Sequence, residues 1–238
     1  MKIYWTKINK IIDETSEIKT YLLDCPENFT WEEGAHTHLA LEGFNAGDKP
    51  NKSLVRHMSI STLPEENVIG ITTRIREQCS RYKSILRNLE VGDQVALFKT
   101  HSNVPLKKDA KNIYLLSAGV GLATFRPLIL EYFERPGNIE HMHSLNIDSS
   151  REFIFTDIVT SNSERNFTAQ FVDHRNEYYE TVKKLAIDKN GVYYVVGSDE
   201  FLKQNIEVLK EQGIRPNQIV LDKHEHKLQE FLSLDYSK

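Results

Sequence analysis

No other stretch of the sequence narrows the choice of fold as sharply as Lys111 to Leu130, KNIYLLSAGVGLATFRPLIL. An apolar run, Ile113 to Leu116, breaks at Ser117-Ala118-Gly119-Val120-Gly121. Apolar side chains then recur at helical spacing: Leu122, Phe125, Leu128 and Ile129. The pattern predicts a buried strand, a tight glycine turn and a helix. A glycine turn in front of a helix has a chemical use. Without a Cβ, the backbone lets a ligand come close. The helix start offers unpaired N–H groups and the positive end of the peptide dipole to an anion. Gly119, Val120 and Gly121 are therefore candidate contacts to a dinucleotide phosphate. The alternative is a plain strand-to-helix turn, because Thr124 stands where the usual dinucleotide pattern has its third glycine or alanine.

The chain around this stretch alternates strands and helices. Glu140 to Leu145 and Glu152 to Ile158 flank a polar loop, Asn146 to Arg151. Asn166 to Val172 reads as a strand ending at Asp173-His174-Arg175, and Tyr178 to Leu185 as a short helix. Val192 to Val196 is a buried strand ending at Gly197-Ser198-Asp199. The amphipathic run after it, with Phe201, Leu202, Ile206, Val208 and Leu209, stops at Gly213. Such alternation predicts a parallel sheet with helices on both faces. Ligands of such sheets bind beyond the carboxyl ends of the strands. Three strand ends carry suitable groups: Gly119 with Gly121, Asp173 with Arg175, and Gly197 with Asp199.

The first half reads differently. Short strand-like runs are separated by polar turns: Ile3 to Ile8, Thr20 to Leu23, His36 to Leu41, Leu54 to Ser61, Val68 to Arg74 and Gln94 to Lys99. That spacing predicts a small antiparallel barrel. One helix interrupts it, with Ser80 as its N-cap and Ile85, Leu86 and Leu89 on its apolar face. Two features here could carry chemistry. One is Arg56-His57-Met58-Ser59, a set of cofactor contacts or a solvated barrel strand. In a regular strand Arg56 and Met58 share one face, His57 and Ser59 the other. The second is Cys79-Ser80 at the helix start, an anion-ready terminus with a reactive or merely packed cysteine.

Composition removes several function classes. A net charge of −4 argues against nucleic acid as the main partner. No apolar run reaches the length of a membrane span, and Lys7, Asn9 and Lys10 interrupt any signal-peptide core, so no membrane span or export is expected. Two cysteines, Cys25 and Cys79, make neither a disulfide framework nor a cluster site, and a cytoplasmic location is expected. The spaced pairs His36/His38 and His141/His143 have no third ligand nearby in sequence, and no metal is expected. His224 and His226 lie in a charged, surface-like stretch.

The order of these features resembles the ferredoxin–NADP reductase superfamily, from Gly34 to about Ile219. The resemblance implies two domains: an FAD-binding antiparallel β-barrel with one helix, residues 1–107, and a Rossmann-like NAD(P)-binding α/β domain, residues 108–238. The family's Arg-x-Tyr-Ser motif falls on Arg56, His57, Met58 and Ser59. It implies that Arg56 holds the flavin pyrophosphate and that Ser59, the catalytic candidate, sits near the reactive flavin nitrogen. Met58 replaces the tyrosine that stacks on the ring, and a thioether can pack there. The Gly-x-x-Ser motif falls on Glu77 to Ser80, with Glu77 in place of the glycine. It implies backbone contacts from Cys79 and Ser80 to the pyrophosphate. Thr73 is a further implied cofactor contact. The Gly-x-Gly-x-x-Pro turn falls on Gly119 to Thr124, with Thr124 in place of the proline. Of the late Cys-Gly-Pro motif only Gly197 remains, with Val196 in place of the cysteine and Ser198 in place of the proline. Asp199 follows as a nucleotide contact. The family's aromatic end over the flavin is missing, although Phe231 or Tyr236 could fold back.

The choice between NADH and NADPH stays open. Arg175 suits the extra phosphate of NADPH, with Tyr178 or Tyr179 on the adenine, or else forms a surface ion pair with Glu177. Asp173 suits the free ribose diol of NADH. The resemblance implies an FAD-dependent oxidoreductase that takes hydride from NAD(P)H. Electrons would pass to a separate acceptor: a protein, a ferric chelate, a quinone or free flavin. The alternative is a non-catalytic flavin- or nucleotide-binding subunit, or an electron relay in a larger complex.

Overall fold

The computed structural model describes residues 2–161 and 166–232. The backbone divides into two units, Met1–Pro105 and Leu106–Lys238.

The first unit is built from β1 (Tyr4–Asp13), β2 (Ile18–Asp24), β3 (Ala35–Leu41), β4 (Val55–Ser59), β5 (Val68–Arg74) and β6 (Gln94–Ser102). The strands run in the order β4-β3-β6-β1-β2-β5, and every neighbouring pair is antiparallel. Ile60, just past β4, bridges to Ile71 of β5 and closes the sheet into the expected barrel. Closure removes the open edges that an isolated sheet would expose. Alternate residues turn inward. Tyr21, Leu23, Leu39, Leu41, Ile69, Ile71, Val95 and Leu97 form the barrel core.

The one helix of this unit, α1 (Arg81–Arg87), starts as the sequence predicts. The Ser80 hydroxyl accepts from the Lys83 N–H at 3.4 Å. Two buried tyrosines moor it. Tyr82 donates to the Leu39 carbonyl and Tyr21 to the Leu86 carbonyl, each at 3.0 Å. These bonds satisfy hydroxyls that would be costly to bury alone. They also fix the start of α1 relative to β3.

The second unit holds a parallel sheet of β7 (Asn112–Ala118), β8 (His141–Ile147), β9 (Phe167–Val172), β10 (Val192–Val196) and β11 (Ile219–Leu221). Their order is β11-β10-β7-β8-β9. The helices are α2 (Leu122–Glu134), α3 (Thr156–Ser161), α4 (Arg175–Leu185), α5 (Asp199–Glu211) and α6 (Glu225–Leu232). On one face Tyr114, Leu116, Tyr193 and Val195 pack with Tyr178 and Val182 of α4 and Leu202, Ile206 and Leu209 of α5. The buried Phe125, Leu128 and Ile129 of α2 belong to the opposite side, where Phe125 meets Tyr194 edge-on at 6.4 Å.

A buried carboxylate ties the start of this unit to α2. Glu131 is 3% exposed and accepts from Arg135 at 2.6 and 2.9 Å and from Lys108. Paired in this way, a buried charge is tolerated.

Three details differ from the sequence expectations. Helix α4 begins at Arg175 rather than Tyr178. The stretch from Glu152 is irregular until α3 begins at Thr156. The segment from Leu221, which carries no sequence assignment, contributes the end of β11 and the whole of α6, with Phe231 buried in the core beneath. Tyr236 lies outside the described residues. No helix among the described residues is long and apolar enough to cross a membrane.

Candidate functional site

In the barrel unit the candidate residues gather where β4 and β5 meet the start of α1. Arg56 is exposed and lays its guanidinium over the Tyr82 ring, 5.0 Å from the centroid. It also donates to the Val55 carbonyl at 2.7 Å. Lys83, in the first turn of α1, donates to the Thr73 hydroxyl of β5. Burial lowers its ammonium pKa to about 8; the nearby Cys79 thiol opposes the shift and the Arg56 charge adds to it. Arg56 and Cys79 thus both lie near the Lys83 ammonium. Among the described residues no carboxylate pairs with either cation. A half-buried ammonium beside a guanidinium, without a counter-ion, is a standing electrostatic cost that an anion would relieve.

Sequence reasoning placed Arg56, Thr73, Cys79 and Ser80 in this cluster but missed Lys83. A lysine inside a helix carries no signal of its own. The clue available was its place three residues after the N-cap, where a side chain can reach back toward the helix start.

The rest of the Arg56–Ser59 motif distributes as strand alternation requires. Met58 is 9% exposed and belongs to the barrel core. His57 is exposed on the other face, and Ser59 is half-buried at the end of β4. Beside them a cavity of about 480 Å³ opens on the outer surface of this unit. Phe44, Phe98, His38, His57 and Val55 line it, with Arg56 among its walls.

In the second unit the glycine turn takes the form of a short 3-10 turn, Gly119–Gly121, between β7 and α2. Gly119 adopts φ +52°, a conformation that side chains disfavour. Gly121 is needed for a different reason. A Cβ there would stand 2.9 Å from the Val196 carbonyl oxygen at the end of β10. The buried Asn146 holds the turn from β8, donating to Ser117 Oγ at 2.9 Å and to the Gly119 carbonyl at 3.2 Å. Val120 is half-buried and Thr124 is buried in the first turns of α2. The neighbouring β10 ends in Gly197 and Ser198. The Ser198 hydroxyl caps α5 by accepting from the Phe201 N–H at 3.2 Å. The Gly119–Gly121 and Gly197–Asp199 loops are therefore side by side.

The charged candidates here are already engaged. Asp199 pairs with Lys223 at 2.7 Å. Asp173 accepts from His174 and Arg151, which hold its carboxyl below the usual range. Arg175 lies 3.7 Å from Glu200, not against Glu177, and stands over the Tyr179 ring at 5.8 Å. Tyr178, offered with Tyr179 for the adenine, is fully buried and donates to Asn205.

With this geometry in hand, comparison with known proteins is informative at the level of structure. No protein-family model matches the sequence, and no curated protein matches it by sequence. Solved structures do match. A ferredoxin NADP+ reductase from Neisseria gonorrhoeae, with bound FAD and NADP, superposes with a TM-score of 0.79 at 18% identity. The match covers 93% of this chain and 98% of that one. The CS-b5R domains of human Ncb5or in the NAD+ form match with a TM-score of 0.77 at 14% identity, over 93% of this chain and 70% of that one. The Amycolatopsis cytochrome P450 reductase GcoB matches with a TM-score of 0.75 at 13% identity, over 93% and 70%. At these identities the likeness shows a shared fold, an antiparallel barrel unit followed by a parallel α/β unit.

Proposed function

We propose that the chain is an FAD-dependent oxidoreductase that takes hydride from NADH or NADPH. The observation that carries this reading is the Arg56–Lys83 pair at the start of α1, two cations without a carboxylate partner. A pyrophosphate is the ligand such a pair suits, with the Cys79 and Ser80 backbone and the Thr73 hydroxyl beside it. A flavin held there would supply the hydride-accepting chemistry; the protein supplies binding and orientation. Ser59, at the end of β4, would hydrogen-bond near the reacting atoms. The paired loops after β7 and β10 offer backbone N–H groups to the nucleotide donor, with Arg175 and Asp173 at the more distant end of β9. The electron acceptor is a separate protein, ferric chelate, quinone or free flavin. With two cysteines the sequence provides no four-cysteine cluster of its own.

The test is the visible spectrum of the protein with FAD, followed anaerobically as NADH and then NADPH are added. Bleaching of the flavin band by one donor is the expected result. A band that stays oxidised with both would overturn the hydride-transfer reading. A second reading, a non-catalytic flavin-binding relay, draws support from the burial of Met58 and from valine and serine around Gly197. Turnover by the isolated chain with an artificial acceptor would exclude it.

A further inference from the structure

The cavity on the outer surface of the barrel has no part in the proposed reaction, yet its walls are unlike a sheet face turned to solvent. Ala40 of β3 and Ala96 of β6 stand directly opposite each other. With only methyl groups at those positions, Phe44 settles against the sheet beside Phe98. The four residues form an apolar cluster distinct from the barrel core. The Phe44 and Phe98 rings are stacked, 5.7 Å apart by centroid and 16° from parallel. The His38 ring also stacks on Phe98, at 5.0 Å and 17°. The loop after β3 turns back to bring Phe44 here: Gly43 takes φ +83°, and the Phe44 carbonyl accepts from the Asn51 N–H at 2.6 Å.

A β-bulge sets a cation beside this stack. Val95 and Leu97 belong to the barrel core, so regular alternation would send Lys99 inward after them. Instead the register shifts. His38 stands opposite Phe98 and His36 opposite His101, so Lys99 and Thr100 of β6 share the space of Thr37 alone. Lys99 takes φ +53°, is exposed and lines the cavity with Phe98. Two hydroxyls hold the bulge: Thr37 donates to the Phe98 carbonyl at 3.2 Å and accepts from Thr100 at 2.9 Å. Barrel curvature accounts for a bulge, but not for a lysine at its left-handed position, where glycine carries no strain. Strain of this kind gathers at ligand sites. Lys52, in the short turn ahead of β4, supplies a second cation to the cavity. No residue lining it is acidic, and among the described residues neither lysine has a carboxylate partner.

We propose that this recess binds a small planar aromatic anion, one or two fused rings carrying a carboxylate. The rings lie against Phe44, Phe98 and Val55, and Lys52 and Lys99 hold the acid. A cavity of about 480 Å³ has the size of a small-molecule site, and a mostly apolar lining with a few polar groups is the usual make-up of one. Charge decides the class of ligand. A neutral aromatic would leave both lysines without a counter-ion, and a cation would be repelled by them. The site goes beyond the flavin reading and does not depend on it. Arg56 also borders the cavity, but its guanidinium lies over Tyr82, and neither Lys52 nor Lys99 belongs to the proposed cofactor contacts.

The experiment is calorimetric titration of the full chain with 2-naphthoate, with and without saturating FAD. One equivalent should bind in both states, with a Kd on the order of 0.1 mM for a ligand of this size. The neutral 2-naphthamide should bind about tenfold more weakly. Lys52→Met and Lys99→Met should each weaken naphthoate binding by roughly tenfold and leave naphthamide binding unchanged. Lys99→Gly relieves the left-handed strain, so it should lose the same affinity while the midpoint of thermal unfolding holds or rises. That pairing separates a lost ligand contact from a lost fold. Absence of binding at millimolar naphthoate would overturn the proposal, as would equal affinity for naphthamide or full affinity in both methionine variants. Displacement of naphthoate by FAD would also overturn it, by assigning the recess to the cofactor, and would leave the flavin reading standing.

Discussion

The two units treat charge in opposite ways. At the start of α1, Arg56 and Lys83 stand together without a carboxylate among the described residues. In the second unit three cations near the strand ends have carboxylate partners: Arg151 with Asp173, Arg175 with Glu200, and Lys223 with Asp199. An unpaired, half-buried cation gains its counter-ion only when a ligand arrives, so the ligand gains the full interaction. A cation already paired at the surface trades one partner for another, and the net gain is small. The difference teaches which ligand each unit is suited to keep. On the proposed reading, the barrel would retain its anion, whereas the parallel sheet would bind one and let it go. A retained flavin and an exchanging nucleotide fit that division.

The largest expected effect comes from removing the unpaired cations. Lys83→Met and Arg56→Ala should each weaken FAD binding by on the order of 1.5–3 kcal/mol, roughly tenfold to more than a hundredfold in Kd. Fluorescence titration of the flavin measures it. Unchanged affinity in both variants would break the comparison at its stronger side.

A smaller effect should follow from pH. With the Lys83 pKa lowered to about 8 and an anion restoring its charge, FAD affinity is full below pH 8. It falls as pH rises, by about tenfold between pH 7 and pH 9 if one proton is taken up on binding. Lys83→Met should flatten that slope, and a slope that persists in the variant would assign it to another group.

The smallest effect belongs to the paired side. Glu200→Gln releases Arg175 and should favour NADPH over NADH by roughly two- to fivefold, in keeping with a surface ion pair worth at most about 1 kcal/mol. Donor KM values under steady turnover read this out. A change of a hundredfold would show that the second unit holds its ligand as tightly as the first.

Much of this arrangement is legible in the sequence where one residue acts on its own neighbours. The Gly119–Gly121 turn, the Ser80 cap and the strand Val68–Arg74 are local, and each stands where its sequence pattern puts it. The features that escape are those made by register or by distant partners. Lys83 acquires its character from Thr73 and Arg56, which lie on other strands. Arg175 finds Glu200 because α4 and α5 start side by side, a proximity no local pattern contains. Strand β11 is three residues long and α6 is mostly polar, so neither shows a periodicity that reads above its surroundings.

The position of β6 has a consequence for how the barrel forms. It is the last strand of its unit in the sequence, yet it lies in the middle of the sheet, between β3 and β1. Until Gln94–Ser102 has left the ribosome, the earlier strands can pair only as β1-β2-β5 and β3-β4, linked where residues 60–62, just past β4, meet β5. The seam that joins first strand to last spans nearly the whole unit, the kind of long-range pairing that slows folding. A nascent chain stalled before residue 94 would therefore expose the edges of β1 and β3 together, and it is at this stage that a holding chaperone would have most to cover.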